Sequence, residues 1–174
     1  MTRSIALVLL LVPALLACGD GDEGEAGQAA ADRAAADSAF AELQERGASA
    51  EAMGVDQYTS THVFEDLADG GRIELRRDVD DPAGAEQIRG HLRDIADRFA
   101  AGDFAIPGFV HDVDEVPGTA VMAERRGAID YEFAELPRGG EVRIRTSDPE
   151  AVRAVHEFLA FQRGDHRTGD HTAH

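Results

Sequence analysis

"FEDLADGGRIELR" (Phe64–Arg76) and "FAELPRGGEVRIR" (Phe133–Arg145) are two versions of one segment. They match at a constant offset of 69, with Phe64, Leu67, Gly70, Gly71 and Arg76 standing against Phe133, Leu136, Gly139, Gly140 and Arg145. Ile73 and Leu75 stand in the same way against Val142 and Ile144. In each, alternating apolar residues run into a glycine-bearing turn and out again, which is the pattern of a β-hairpin. Two-residue turns at Asp69-Gly70 and Arg138-Gly139 would set Phe64 opposite Leu75 and Phe133 opposite Ile144. The paired glycines then read as turn positions that need a positive φ.

Each hairpin is followed by a helix signal. After the first come Asp81-Pro82, a cap and a first-turn proline, and an apolar stripe of Ile88, Leu92, Ile95 and Phe99. After the second come Ser147-Asp148-Pro149-Glu150, a capping box around a proline, and then Val152, Val155 and Leu159. The repeating unit is therefore ββα. Two units predict an α+β, two-layer sandwich: a four-stranded antiparallel sheet from a duplicated ββα unit, with two helices on one face. This domain is expected over residues 54–163. Between the units, "DFAIPGFVHDVDEVPG" is broken by Pro107, Gly108, Pro117 and Gly118. "FAIPGFV" is compatible with an added edge strand, and a short helix is expected near Thr119 to Arg126.

The chain begins "MTRSIALVLLLVPALLAC", with one positive charge at Arg3, an apolar run from Ile5 to Leu16 and a small residue at Ala17. That is the layout of a secretory leader, and the run is too short for a permanent span. Leu15-Leu16-Ala17-Cys18 resembles the bacterial lipobox. The resemblance implies removal of residues 1–17 and diacylglycerol on the Cys18 sulfur, so that the mature chain is anchored to a membrane on its extracytoplasmic side, inner or outer, without crossing it. Residues 18–53 then comprise the lipidated cysteine, an acidic spacer "GDGDEGEAGQ" and an alanine-rich helix that Gly47 ends. Residues 164–174 read as a flexible tail containing histidine. Cys18 is the only cysteine, so no disulfide is expected.

The formal net charge is −17, and loss of Arg3 with the leader takes it to −18. Such acidity argues against nucleic acid and anionic lipid as partners, and suits a basic protein in the envelope. There is no tryptophan and there are two tyrosines, too few for an aromatic ligand platform.

Histidine is the side chain with chemistry to offer. His62 shares a strand face with Tyr58 and Phe64, His156 falls in the stripe of the second helix, His91 lies at the edge of the first, and His111 follows Phe109-Val110. Four histidines from four elements form a candidate site for Cu or Zn. Met122 is a further donor if the ion is Cu(I), and His166, His171 and His174 of "RGDHRTGDHTAH" are secondary candidates. None of these has motif spacing: HExxH, CxxC and HxH are all missing. No serine sits in a G-x-S-x-G turn and no glycine-rich phosphate loop is present, so an enzyme is the least favoured class. Two readings stand ahead of it. One is a binding lipoprotein for a transition metal or metal-bearing ligand, and the other is a non-catalytic acidic interaction module.

The segments "DQYTSTHVF", "IRGHLRDIADRFAAGDF", "FVHD", "VPGTAVM" and "AVHEFLAFQRGDH" resemble a family of small bacterial lipoproteins. Some members carry the name aspartate carbamoyltransferase. This sequence lacks that enzyme's Ser-Thr-Arg-Thr loop for carbamoyl phosphate and its His-Pro-x-Gln segment, so the resemblance does not bring the activity with it. It implies that His62, His91, His111 and His156 belong to the family's pattern, and it assigns them no role.

Overall fold

A computed structural model describes residues 21–50, 52–54 and 56–168, with side chains from residue 25. Helix α1 (Gly21–Ala48) opens it, followed by strands β1 (Ser60–Leu67) and β2 (Gly70–Arg77) and helix α2 (Pro82–Ala101). Short helices α3 (Ala105–His111) and α4 (Thr119–Glu124) lead to β3 (Ile129–Leu136), β4 (Gly139–Thr146) and α5 (Pro149–Asp165). The fold is the expected α+β sandwich, an antiparallel sheet in the order β1-β2-β4-β3. No helix of the described residues is long and apolar enough to cross a membrane.

The two hairpins join through their inner strands, with Ile73 opposite Val142. Those two residues are equivalent in the duplication, so a local two-fold axis passes between them. One face of the sheet carries His62, Phe64, Ile73, Leu75, Tyr131, Phe133, Val142 and Ile144. Against it the helices set Ile88, Leu92, Ile95 and Phe99 from α2 and Val155, Phe158 and Leu159 from α5, all buried. The helices are crossed over the halves: α2 packs mainly on β3 and β4, and α5 on β1 and β2. Each hairpin is thus covered by the helix of the other unit.

Among the described residues no helix covers the opposite face of the sheet, which carries side-chain ion pairs. Arg72 reaches Glu65 at 2.8 Å, Glu74 at 3.2 Å and Glu141 at 3.4 Å, and Arg76 reaches Glu74 at 2.7 Å.

The turns lie one residue earlier than the glycines suggested, which moves every cross-strand partner by two. Leu67 pairs with Gly70 and Leu136 with Gly139, so the loops are Ala68-Asp69 and Pro137-Arg138; Phe64 faces Ile73 and Phe133 faces Val142. A shift of two preserves which face each side chain takes, so the core is unchanged. In the second turn Pro137 supplies the fixed φ of the first loop position, and Arg138 takes the left-handed φ of 65°. Of the four glycines only Gly70 has a positive φ, 133°. Close packing explains a second one: a Cβ on Gly71 would overlap Leu159 Cδ1.

Capping matches the sequence signals, with one displacement. Asp81 Oδ1 accepts from Gly84 N at 3.0 Å, and Pro82 opens α2. The cap of α5 is Asp148 rather than Ser147, since its carboxylate accepts from Glu150 N at 2.9 Å and Pro149 holds the first helical position. "FAIPGFV" is not an edge strand but α3. Asp103 Oδ1 accepts from Ala105 N at 2.9 Å, and Pro107 sits in the first turn, where its missing N–H costs nothing.

The described residues divide after Ala35 into two units. In the first, the α1 side chains from Glu25 onward are exposed, and Gln28 donates to Asp32 at 2.7 Å. The stretch read as an acidic spacer is helical from Gly21. In the second unit, α1 residues 36–48 are part of the compact body: Leu43 is 4% exposed, and Arg46 Nε donates to the Val110 carbonyl at 2.8 Å. Cys18, His171 and His174 lie outside the described residues.

Candidate functional site

Between the sheet, α2, α3 and the end of α5 lies a cavity of about 70 Å³. Most of its wall is apolar, including Phe64, Leu92, Phe99 and Phe158, but four imidazoles enter it: His62, His91, His111 and His166. His62 reaches it because it alternates with Phe64 on the inner face of β1. His91 comes from α2, and His111 is the last residue of α3, its side chain 1% exposed. His166 is the C-cap of α5, its backbone N–H bonded to the Gln162 carbonyl at 3.0 Å.

The rings are close. His166 stacks on His62 with centroids 5.5 Å apart and an interplanar angle of 11°, and meets His111 edge-on at 5.0 Å. Two imidazoles sharing one tetrahedral ion through bonds of about 2.1 Å have ring centres about 5 Å apart. The spacing suits a shared ion. The orientation does not yet: among the described residues no three His, Cys, Asp or Glu side chains aim their donor atoms at a common point.

Three of the rings have an oxygen within hydrogen-bond reach of Nδ1. His111 Nδ1 lies 2.8 Å from Asp165 Oδ2, His166 Nδ1 lies 2.9 Å from Gln57 Oε1, and His62 Nδ1 lies 3.3 Å from the Ser60 carbonyl. The Ser60 carbonyl and the Asp165 carboxylate are acceptors, so Nδ1 of His62 and of His111 donates; His166 Nδ1 does the same with the Gln57 amide oxygen turned towards it. The Ala52 carbonyl accepts from the His91 ring. An outer oxygen that fixes the ring and frees the inner nitrogen is the arrangement found behind metal-ligating histidines. His111 Nε2 stands 2.9 Å from Gln162 Oε1, while Gln162 Nε2 has no partner among the described residues. Turning that amide over lets its NH₂ donate to the His111 lone pair.

Burial holds His62, His91 and His166 neutral. It lowers His62 and His91 from the usual 6.5 to about 4, the His62 shift being opposed by its Ser60 bond and helped by His91. It takes His166 well below the ordinary value, with His62 and His111 adding to the effect. Neutral imidazole is the form that binds a metal ion.

The duplication gives an internal comparison. His62 occupies the place of Tyr131 in the second hairpin, and His166 the place of Phe99, counted from the helix prolines 67 residues apart. Phe99 and Tyr131 pack edge to face at 5.8 Å as part of the core. One half fills this corner with phenyl rings, and the other lines it with imidazoles.

Three of the four expected histidines, His62, His91 and His111, meet at this cavity. His156 does not, since its Nε2 lies 2.9 Å from the Leu67 carbonyl and 3.0 Å from that of Gly70, closing off the end of the first hairpin. Met122 is fully buried in the core and lines no part of the cavity, where Met53 stands instead. His166, placed in the tail by the sequence reading, is the fourth member. Its signal was the spacing Val155, Leu159, Gln162, His166, which continues the helix stripe by steps of four, three and four. No protein-family model, curated protein or solved structure matches the chain.

Proposed function

We propose that the protein is a binding protein for a transition-metal ion, copper or zinc, taken up by His62, His111 and His166 with His91 as a further donor. It acts outside the cytosol from a lipid anchor on Cys18. The observation that carries the reading is the cluster of three buried imidazoles, ring centres 5.0 and 5.5 Å apart, each with an oxygen at Nδ1. Binding requires the Gln162 amide to release His111 and the stacked pair to turn by a rotamer step. The apolar surround excludes water and strengthens ion–ligand attraction. Met53 at the cavity wall, a soft thioether donor, favours Cu(I) over harder ions.

The purified chain, stripped with chelator, should take up close to one Zn²⁺ or Cu⁺ per molecule. His166→Ala should lower the affinity by at least tenfold, and His156→Ala should leave it unchanged. No uptake by the wild type, or equal loss in both variants, sinks the reading.

A further inference from the structure

A second chamber lies on the other side of the wall made by Gln57, His62 and His166. It is a groove of about 720 Å³, within the usual size of a small-molecule site of about 300–1,000 Å³. Its chemistry differs from that of the inner cavity. Tyr58 stands in it 64% exposed, edge to face with Phe40 at 6.2 Å. Gln44 lines the groove yet is only 7% exposed, and its Oε1 has no hydrogen-bond partner among the described residues. A buried acceptor left without a donor costs about 1–3 kcal/mol, so a donor in the groove would reward a small turn of this amide towards it. The Asp78 carboxylate stands at the rim, Oδ1 taking the Thr61 hydroxyl at 2.7 Å. Arg167, the single arginine of the lining among the described residues, is already engaged by Asp37 at 2.9 Å and lies over the Phe40 ring.

The groove therefore offers an orphan acceptor, a carboxylate and an aromatic face, and no free positive charge among the described residues. We infer that it binds a small organic ammonium ion bearing an aromatic or apolar group. The N–H donors go to Gln44 Oε1 and the Asp78 carboxylate, and the apolar part lies against Tyr58. This is a site separate from the metal reading and does not depend on it.

The test is an NMR titration of the metal-free full chain with benzylammonium, using phenylacetate as the anionic counterpart of similar size. Benzylammonium should give saturable shifts at the Gln44 side-chain amide and at Tyr58 and Thr61, with phenylacetate at least tenfold weaker. Tyr58→Ala and Asp78→Asn, both at exposed positions where folding is not at risk, should each weaken binding at least fivefold. Shifts that never saturate, equal response to phenylacetate, or indifference to both substitutions overturns the inference. A chain that takes up no metal but saturates with benzylammonium loses the reading above and keeps this one.

Discussion

The methyl of Leu159 leaves room for a hydrogen at Gly71 and for nothing larger. Gly71→Ala should therefore destabilise the fold by roughly 1–3 kcal/mol, the usual cost of overpacking, read as a lowered denaturant midpoint with an unchanged slope. An unchanged midpoint would show that α5 can retreat freely from β2. The same residue shows what the sequence hid. A glycine pair in a hairpin reads as a turn, because a positive φ is a local property, whereas the demand that keeps Gly71 is made by a helix 88 residues later. The histidines divide in the same way. His62 was legible because strand alternation fixes its side. His156 and His166 share one helix, and only the choice of hydrogen-bond partner separates a ring that closes hairpin carbonyls from one that lines a cavity.

At the scale of elements, pattern was most readable where both ends carried a signal. Helices α2 and α5 have an acidic cap, a following proline and a sustained stripe, and they form where expected. Segment α3 was ambiguous because seven residues of mixed pattern fit either period, and the Asp103 carboxylate, accepting from Ala105 N just ahead of the first turn, favours the helix. Least visible was the docking of α1, whose alanine-rich stretch has no strong apolar face; its anchors come from far along the chain. Arg167 bonds Asp37 at 2.9 Å and the Ala36 carbonyl at 2.7 Å, and covers the Phe40 ring at 4.4 Å. Arg167→Ala should loosen this half of the helix by about 1 kcal/mol, close to fivefold in its opening equilibrium. Amide hydrogen exchange over residues 36–48 should quicken by that factor while the β2 and β4 amides hold. Unaltered exchange in α1 would show that Leu43 alone secures it.

For the molecule as a whole, the buried imidazoles set a pH limit. His62 and His91 titrate near 6.5 when unfolded and at about 4 when folded, so between those values the unfolded chain binds more protons. Stability should be flat above pH 7 and fall as the pH drops from 6.5 towards 4, by on the order of 2 kcal/mol for each ring. The carboxylates of Asp81 and Asp148, lowered by their capping bonds, withdraw support only below that window. Urea midpoints at pH 7.5, 6 and 5 measure this, and His62→Phe should flatten the slope; a wild type equally stable at all three contradicts neutral burial. The crossed helices carry a consequence of another kind. A single ββα copy presents a hairpin with no cover of its own and a helix shaped to cover someone else's, while Ile73 meeting Val142 supplies the self-complementary seam. This is the geometry of a symmetric homodimer whose two chains have become one, with α3 and α4 as the stitch that joined them. The imidazole corner is then the place where joining the halves in one chain lets them differ: equivalent positions hold Phe99 and Tyr131 in one half and His166 and His62 in the other.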